Sequence, residues 1–343
     1  MLLDKNRIVI DANLAARDVF GDHLAGRDLA HSLRHPLVLD AATKAVSGAV
    51  SGALSDASKS RLEFAMQVPV DRRFELHAMP VQPGRFGACC AVLVLLDVTA
   101  THQVEQMRAD FVANVSHELR SPLAALSGFI ETLQGPAKND EPARERFLTI
   151  MLGEAHRMAR LIDDLLSLSR VQSQEHIRPR EKIDLTRLLA NVCELVQLRG
   201  AGRGISVELV CPGSLPAIAG DADQLQEVFL NLLDNAIKYG VPDAKVTVKA
   251  QIIARLPDTG AAGVSISVHN QGAPIEPEHL PRLTERFYRA DKARSREIGG
   301  TGLGLAIVKH ILNRHRGRLL IESTAQSGTT CTVLLPQVES AVT

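Results

Sequence analysis

Apolar and polar positions along the first hundred or so residues alternate over short stretches, which is the period of half-buried β-strands. Residues 62–68 and 74–79 alternate in this way, and residues 88–98 form a nearly continuous apolar run that predicts a buried strand. A short helix is predicted over 15–20, after a turn rich in capping residues. The pattern therefore predicts an α+β module that ends at Asp97-Val98-Thr99.

The middle of the chain carries apolar residues three and four positions apart, which is the period of an amphipathic α-helix. One such stripe covers residues 101–134 and a second covers about 143–174, with a Gly-Pro loop between them. Pro122 lies inside the first stripe, where it removes one helical hydrogen bond. Two long helices joined by a short loop have little core of their own. We therefore expect an antiparallel hairpin that pairs with a second copy in a four-helix bundle.

A second α+β region runs from Ile183 to Pro336. The predicted helices are 185–198, 223–238 and 302–315, and the predicted strands are 246–254, 264–270, 319–322 and 331–335. The stretch 290–300 is charged and ends in glycine, which is typical of a mobile loop. The chain as a whole is predicted to be a multi-domain α+β protein.

Composition excludes several classes of function. The 343 residues include 39 Lys plus Arg and 39 Asp plus Glu, so there is no basic surplus for a nucleic-acid backbone. Five cysteines without metal-ligand spacing indicate a reducing cytoplasm. No apolar run reaches the length of about 20 residues that a membrane span needs, and no signal peptide is present. A strand pattern begins at the first residues, so we expect membrane anchors to lie upstream of this chain.

His117 lies on the first helical stripe, within the run Ser116–Pro122. A neutral imidazole is a competent nucleophile near pH 7, because its reference pKa is about 6.5. Apolar neighbours such as Leu123 are expected to define the buried face and to leave His117 partly exposed at its edge. Glu118 can orient a ring proton, and Arg120 can meet a phosphate. A lone histidine on a helix is more often an ordinary side chain, so this cluster alone is only suggestive.

Asn231, Asn235 and Lys238 fall on one face of the predicted helix 223–238, at spacings of four and three. An amide oxygen suits Mg²⁺, which prefers oxygen ligands and keeps several waters beside phosphates. Lys238 supplies a point charge for those phosphates. For this stretch alone, a solvated helix face is the alternative interpretation.

The run Gly299-Gly300-Thr301-Gly302-Leu303-Gly304 opens the predicted helix 302–315. Glycines allow backbone N–H groups to approach an anion, and the start of a helix adds its dipole. The run lacks the Gly-Lys-Ser/Thr of a P-loop and the preceding strand of a dinucleotide fold. Tyr288 and Arg289 lie shortly before it and supply an aromatic ring and a cation.

Taken in this order, the four clusters resemble the sequence boxes of the sensor histidine kinases. His117 with Glu118 is similar to the H box, residues 231–239 to the N box, Phe287 and its neighbours to the F box, and residues 300–304 to the G2 box. The runs 281–289 and 306–310, with Arg294-Ser295-Arg296, most resemble the phosphate-regulon sensor kinases. Residues 1–98 resemble a PAS sensory domain more loosely.

The resemblance implies three domains: a PAS-like sensor over 1–98, a dimerisation and histidine phosphotransfer domain over 99–176, and an ATP-binding domain over 183–338. The last would be the α/β sandwich of the GHKL, or Bergerat, class shared with Hsp90, gyrase B and MutL. The enzyme would phosphorylate His117 from Mg-ATP and pass the phosphoryl group to an aspartate of a response regulator receiver domain, in phosphate-starvation signalling. It would lie at the cytoplasmic side of the bacterial inner membrane, with this chain itself soluble and cytoplasmic.

The resemblance also implies roles for single residues. Asn235 would ligate Mg²⁺, Lys238 and Arg289 would contact phosphates, and Tyr239 would pack near the nucleotide. The implied nucleotide-binding residues are Asn231, Asn235, Lys238, Tyr239, Asn270, Gly272, Tyr288, Arg289, Gly300, Thr301, Gly302, Leu303 and Gly304. The implied catalytic residues are His117, Glu118 and Ser121.

Three positions depart from the family pattern. Asn270 stands where the family has the Asp of Asp-x-Gly-x-Gly, whose carboxylate accepts a hydrogen bond from the adenine amino group. Asn keeps an oxygen acceptor without the charge, so we expect weaker ATP binding. Pro274 replaces the second glycine and removes an N–H. Ser121 replaces a frequent Thr that orients water when such kinases dephosphorylate their partner, and it keeps the hydroxyl, so phosphatase activity stays open.

Two other functions stay open. An ATPase of the Hsp90 and MutL kind carries a Glu, as a base for water, at the position of Asn231. A non-catalytic scaffold with a decayed nucleotide site is favoured only by Asn270 and Pro274. A haem or metal site in the first region is disfavoured because its histidines have no metal-ligand spacing. These histidines, interpreted as ordinary surface or loop residues, are His23, His31, His35 and His77.

Overall fold

The computed structural model of the protein describes residues 1–51, 60–68, 70–82, 87–200, 202, 204–258, 260–291 and 300–338. The chain divides into two compact units, Met1–Ala113 and Asn114–Thr343. Most of the loop predicted over 290–300 lies outside the described residues, and this part includes Arg294-Ser295-Arg296 and Gly299.

The first unit is built on a five-stranded antiparallel sheet. Its strands are β1 (Leu2–Leu3), β2 (Val9–Asp11), β3 (Ser60–Val68), β4 (Val70–Pro80) and β5 (Ala91–Asp97), in the order β2-β1-β5-β4-β3. Its helices are α1 (Leu14–Phe20), α2 (Leu29–Ser32) and α3 (Pro36–Val50). The strand pattern predicted at the first residues and the short helix predicted over 15–20 are confirmed.

Helix α3 was not assigned from the sequence. Its buried stripe is mostly alanine, at positions that include Ala41, Ala45 and Ala49, so it shows little hydrophobic contrast. The helix begins with Pro36 in its first turn, where a missing N–H costs nothing. It packs on β3, β4 and β5, where Phe74 and the other inward residues of β4 are buried as the alternation predicts.

Two long helices follow, α4 (Thr99–Gln134) and α5 (Glu141–Gln174). Phe129 stacks near Phe147 with ring centroids 5.2 Å apart, and Glu118 pairs with Arg157. Phe129 follows Glu118 along α4, whereas its partner Phe147 precedes Arg157 along α5. The two helices are therefore antiparallel, as the hairpin prediction requires. Helix α4 continues through Pro122.

The predicted burial of Leu123 concerns a bundle of two copies. In the single chain Leu123 is 56% exposed, because α5 covers only one side of α4. Its burial by a second copy stays a prediction. Helix α5 likewise leaves a stripe with spacings of four and three exposed, which consists of Leu148, Leu152, Ala155, Ala159, Ile162 and Leu166.

The rest of the second unit is a two-layer α/β sandwich. Its strands are β6 (Glu181–Ile183), β7 (Ser206–Val210), β8 (Ile218–Gly220), β9 (Lys245–Ile253), β10 (Gly263–Asn270), β11 (Arg318–Thr324) and β12 (Gly328–Pro336). Its helices are α6 (Leu185–Gly200), α7 (Ala222–Tyr239) and α8 (Gly304–Arg314). The main sheet has the order β11-β12-β10-β9-β7, with only β7 and β9 parallel, and β6 pairs with β8 separately.

The core of the sandwich lies between its helices and its sheet. Helix α7 buries Val228, Phe229 and Leu232, and the central strands bury Val248 and Ile266. The predicted α+β class, with a helical hairpin and an α/β sandwich, is confirmed. In the described part of the chain, no helix has both the length and the apolar character needed to cross a bilayer.

Candidate active site

A cavity of about 520 Å³ opens between helix α7, the start of α8, the sheet and helix α5. Most of the nucleotide-binding residues expected from the sequence line it. These are Asn231, Asn235, Lys238, Tyr239, Asn270, Tyr288, Arg289, Gly300, Thr301, Gly302 and Gly304. Gly272 and Leu303 do not line the cavity.

Helix α7 turns its polar face toward the cavity because its apolar residues are buried in the sandwich. The helix is capped by Asp221, whose carboxylate accepts a hydrogen bond from the backbone N–H of Gln224. Asn231 donates its amide to the Glu227 carbonyl at 3.0 Å, and its Oδ1 faces the Cα of Gly304 closely enough that a Cβ there would lie 2.6 Å away. Asn231 therefore joins α7 to the start of α8.

Asn235 lies one turn further along α7, on the cavity wall. Its amide oxygen suits a magnesium ion that also binds phosphate oxygens and water. Among the described residues, no group of three or more His, Cys, Asp or Glu side chains could hold a metal. Asn235 is the residue of this wall that could hold a magnesium ion together with phosphate oxygens.

Lys238 supplies positive charge to the same wall. Burial lowers the pKa of its ammonium group, while nearby Asp234 and Asp164 act in the opposite direction and Arg160 lowers the pKa further. An anion bound beside Lys238 would offset this desolvation, because an opposite charge at close range favours the charged form.

The glycine turn before α8 depends on one residue without a side chain. Gly302 has φ of 75°, and a Cβ there would lie 2.9 Å from the Cα of Phe287. The Phe287 N–H donates to the Gly302 carbonyl at 2.9 Å. Leu303 is fully buried and anchors the first turn of α8, whose residues Gly304 and Leu305 line the cavity. The first-turn amides of α8 are therefore placed for an anionic group.

Asn270 closes the inner end of the cavity at the end of β10, with its side chain only 7% exposed. Its amide Nδ2 donates to the Gln271 carbonyl at 3.3 Å. Gly272 does not line the cavity but packs closely against Tyr239 and Asn270. A Cβ there would lie 2.6 Å from the Tyr239 carbonyl and 3.1 Å from the Asn270 amide nitrogen, so only glycine lets these groups approach.

Several cavity residues were not found from the sequence. Thr329 lies opposite Asn270 in the β10–β12 register, and Cys331 follows it on the wall. Burial raises the pKa of Cys331 to about 11. His279 hydrogen-bonds the Tyr288 hydroxyl through Nδ1 at 2.7 Å and so fixes that ring on the wall. No local pattern marks these residues, since strand pairing and loop packing bring them in from distant positions.

His117 is exposed on α4, and within the described residues its ring makes no hydrogen bond or ion pair. The carboxylate of the neighbouring Glu118 instead pairs with two arginines: Arg157 Nη2 at 3.1 Å and Arg289 Nη2 at 3.4 Å. The expected contact of Glu118 with the imidazole is therefore not formed. Ser121 is exposed one turn after His117.

Arg289 connects the cavity to the hairpin. Its side chain is 7% exposed, lines the cavity, contacts Glu118 and donates to the Gly300 carbonyl. A cation on the wall of the cavity thus lies against the residue next to His117.

Helix α5 is held against the sandwich by polar contacts that the sequence did not reveal. Thr301 Oγ1 donates to Asp164 Oδ2 at 2.6 Å, and Ser167 Oγ donates to Glu227 Oε1 at 2.6 Å. Further along, His310 Nδ1 lies 2.9 Å from a carboxylate oxygen of Glu175. In the sequence these positions could not be told apart from a solvated helix face.

Comparison with known proteins identifies both parts of the second unit. Residues 107–174 match the His Kinase A (phospho-acceptor) domain, and residues 220–339 match the histidine kinase-, DNA gyrase B- and HSP90-like ATPase.

Curated relatives agree. The phosphate regulon sensor protein PhoR of Pseudomonas aeruginosa is 35% identical over 325 residues, which are 93% of this chain and 68% of that protein. The sensor protein kinase WalK of Staphylococcus aureus is 36% identical over 71% of this chain and 57% of its own length. The sensor histidine kinase WalK of Bacillus subtilis is 34% identical over 72% of this chain and 40% of its own length.

Solved structures agree at the level of the fold. The histidine kinase ThkA in complex with the response regulator protein TrrA matches over 98% of this chain and 95% of that chain, with a TM-score of 0.54 and 19% identity. The Acinetobacter baumannii histidine kinase AdeS matches over 64% of this chain and 98% of that chain, with a TM-score of 0.50 and 23% identity.

Proposed function

The chain belongs to the sensor histidine kinases, and on that basis we propose that it transfers the γ-phosphoryl group of Mg-ATP to His117. The phosphoryl group would then pass to an aspartate on the receiver domain of a response regulator. The chain spans 68% of PhoR and smaller shares of the two WalK proteins. For this reason the stimulus and the partner are part of the proposal.

The observation that carries the proposal is the contact of Arg289 with Glu118. It gives the nucleotide cavity and the phosphoacceptor helix a common boundary. Phosphates that lie along Lys238, Arg289 and the first turn of α8 would end near the residue before Glu118, which is His117. This geometry supports transfer to the imidazole.

In the proposed reaction, an unprotonated ring nitrogen of His117 attacks the γ-phosphorus. The bond from that phosphorus to the β–γ bridging oxygen breaks, and ADP leaves. Lys238 and Arg289 neutralise the charge on the phosphates and hold them in line, which is most of what such a reaction requires of a protein. Magnesium held by Asn235 would neutralise further phosphate charge when bound. Glu118 can take the ring proton only after its two arginines move.

Dimerisation through the hairpin is part of the same proposal. The exposed stripe on α5, from Leu148 to Leu166, has the spacing of a helix-packing seam. A second copy would cover it and complete a four-helix bundle. The likeness to the phosphate-regulon kinases supports a role in phosphate-starvation signalling at the cytoplasmic side of the inner membrane, with the first unit as a PAS-like sensor. Phosphatase activity would use Ser121.

The proposal separates clearly from its two alternatives. The purified chain is incubated with γ-labelled ATP and Mg²⁺, beside His117→Ala and Asn235→Ala. Label on the protein that is acid-labile and base-stable, and absent from both variants, supports the kinase. Free phosphate without labelled protein would indicate an ATPase, although the amide of Asn231 is a poor base for water. If neither labelled protein nor free phosphate forms, the chain is a scaffold.

A further inference from the structure

Helix α5 places carboxylates in the nucleotide cavity. Asp163 and Asp164 both line it, and neither was expected there. Asp164 is half-buried and accepts a hydrogen bond of 2.6 Å from Thr301 Oγ1, in the glycine turn before α8. The hairpin therefore holds this turn through one carboxylate that faces the same space as Asn235 and Lys238.

A negative charge at this position would repel the phosphates of a nucleotide. Burial raises the pKa of Asp164, whereas the hydrogen bond from Thr301 and the positive charges of Lys238 and Arg160 act in the opposite direction. A triphosphate that binds beside Lys238 brings several negative charges into the same partly desolvated space. In such a space two like charges repel each other considerably more than they would in water.

We propose that Asp164 is a charge gate, whose carboxylate ties Thr301 of the glycine turn 300–304 to the hairpin and opposes the entry of the triphosphate. Nucleotide binding and release of Thr301 from α5 are then coupled. Because coupling is reciprocal, the factor by which a bound nucleotide weakens the contact of Thr301 with α5 equals the factor by which loss of that contact raises nucleotide affinity. This inference rests on the proposed function, since it needs a nucleotide in the cavity.

The substitution Asp164→Asn tests the gate, because an amide oxygen still accepts from Thr301 while the charge is gone. Asp164→Glu keeps the charge and serves as the conservative variant. Glu145→Gln, at an exposed position on the same helix, controls for a change of net charge alone. Binding of the imido analogue of ATP with Mg²⁺, and of adenosine, is measured by calorimetry on the whole chain.

We expect Asp164→Asn to bind the triphosphate analogue on the order of tenfold more tightly. Adenosine affinity should not change, since adenosine lacks the phosphates, and Asp164→Glu and Glu145→Gln should behave like the parent. Equal affinity for the analogue in Asp164→Asn and parent, or an equal gain for adenosine, overturns the gate.

The gate and the kinase fail in different ways. If the parent binds the analogue and becomes labelled at His117 while Asp164→Asn binds no more tightly, only the gate is wrong. If the folded parent binds no nucleotide at all, both fail. Thermal unfolding of each variant shows whether it has kept the fold.

Discussion

Single side chains at this site depend on partners that are far away in sequence. Glu118 is held by Arg157 of the other hairpin helix and by Arg289 of the sandwich. Each arginine is mostly buried, so loss of the carboxylate would leave two desolvated cations with less compensation. Glu118 therefore positions Arg289.

The variant Glu118→Gln tests this role. We expect the rate of His117 phosphorylation to fall by roughly 10²-fold, since small errors in position have effects of that size. Affinity for ATP should change much less. Glu131→Gln, on the exposed side of the same helix, should leave the rate unchanged. A normal rate in Glu118→Gln would show that Arg289 needs no such partner.

Asn270 offers a gain in binding. In the proposed nucleotide site, replacing it with Asp would give the adenine amino group a charged acceptor, and charged hydrogen bonds are about twice as strong as neutral ones. We expect Asn270→Asp to lower the dissociation constant for ATP by roughly three- to tenfold. A nucleotide titration of both proteins decides it, and equal constants would contradict the prediction.

Gly302 shows how a missing side chain shapes the glycine turn before α8. In Gly302→Ala, the new Cβ would meet the backbone of Phe287 at a left-handed φ. We expect the free energy of unfolding to fall by about 1–3 kcal/mol, together with nucleotide affinity. Gly153→Ala is the matched control, because Gly153 faces open space in α5. It should raise the free energy of unfolding by roughly 0.5–1 kcal/mol. Denaturant titration measures both.

At the level of elements, His315 ties the end of α8 to the start of α7. Its ring is 1% exposed, with Nδ1 2.7 Å from the Ile311 carbonyl, and its Nε2 accepts from the Asp221 N–H at 3.0 Å. Nδ1 must donate to the carbonyl while Nε2 accepts, so these two hydrogen bonds favour the neutral imidazole. Burial lowers the pKa of His315 below its value in the unfolded chain.

A pH dependence follows from this shift. Between the lowered folded pKa and the unfolded value of about 6.5, the unfolded chain binds more protons, so stability falls as pH falls through that window. Below the folded pKa the loss is complete. His315→Gln should be less stable than the parent at pH 7.5, yet should lose less stability between pH 7.5 and 5. Parallel slopes in denaturant unfolding would show that His315 does not contribute.

The sequence predicts elements well where a long period is visible. Helices α4, α5 and α7 and strands β9 and β10 lie within about two residues of their predicted bounds, because each shows several repeats of its period. The short strands β6, β7 and β8 offer too few residues for a period to appear.

The residues of the site could likewise be predicted only where a local period marks them. One face of α7 could be predicted because Asn231, Asn235 and Lys238 follow a single helical period. Asp164 and Thr329 could not, since one depends on docking of α5 and the other on pairing of β10 with β12. The burial predicted for Leu123 depends on a second copy, so its exposure in one chain leaves that prediction untested.

For the whole molecule, the apolar seam on the hairpin predicts a dimer. A charge buried in such a seam lacks a partner, so Leu152→Lys should weaken the dimer by several kcal/mol. Sedimentation velocity should show monomers at concentrations where the parent is dimeric. Thr149→Lys, at an exposed polar position of the same helix that lies off this stripe, should leave the dimer intact. A dimeric Leu152→Lys variant would place the interface elsewhere.

The position of the phosphoryl group tests the central claim most directly. The folded chain is incubated with Mg-ATP, quenched at alkaline pH to protect phosphohistidine, and mapped by tandem mass spectrometry beside His117→Gln. The account predicts phosphate on His117 of the parent and none on the variant. A folded, nucleotide-bound parent that carries no phosphate on His117, or carries it on another residue, would contradict the account.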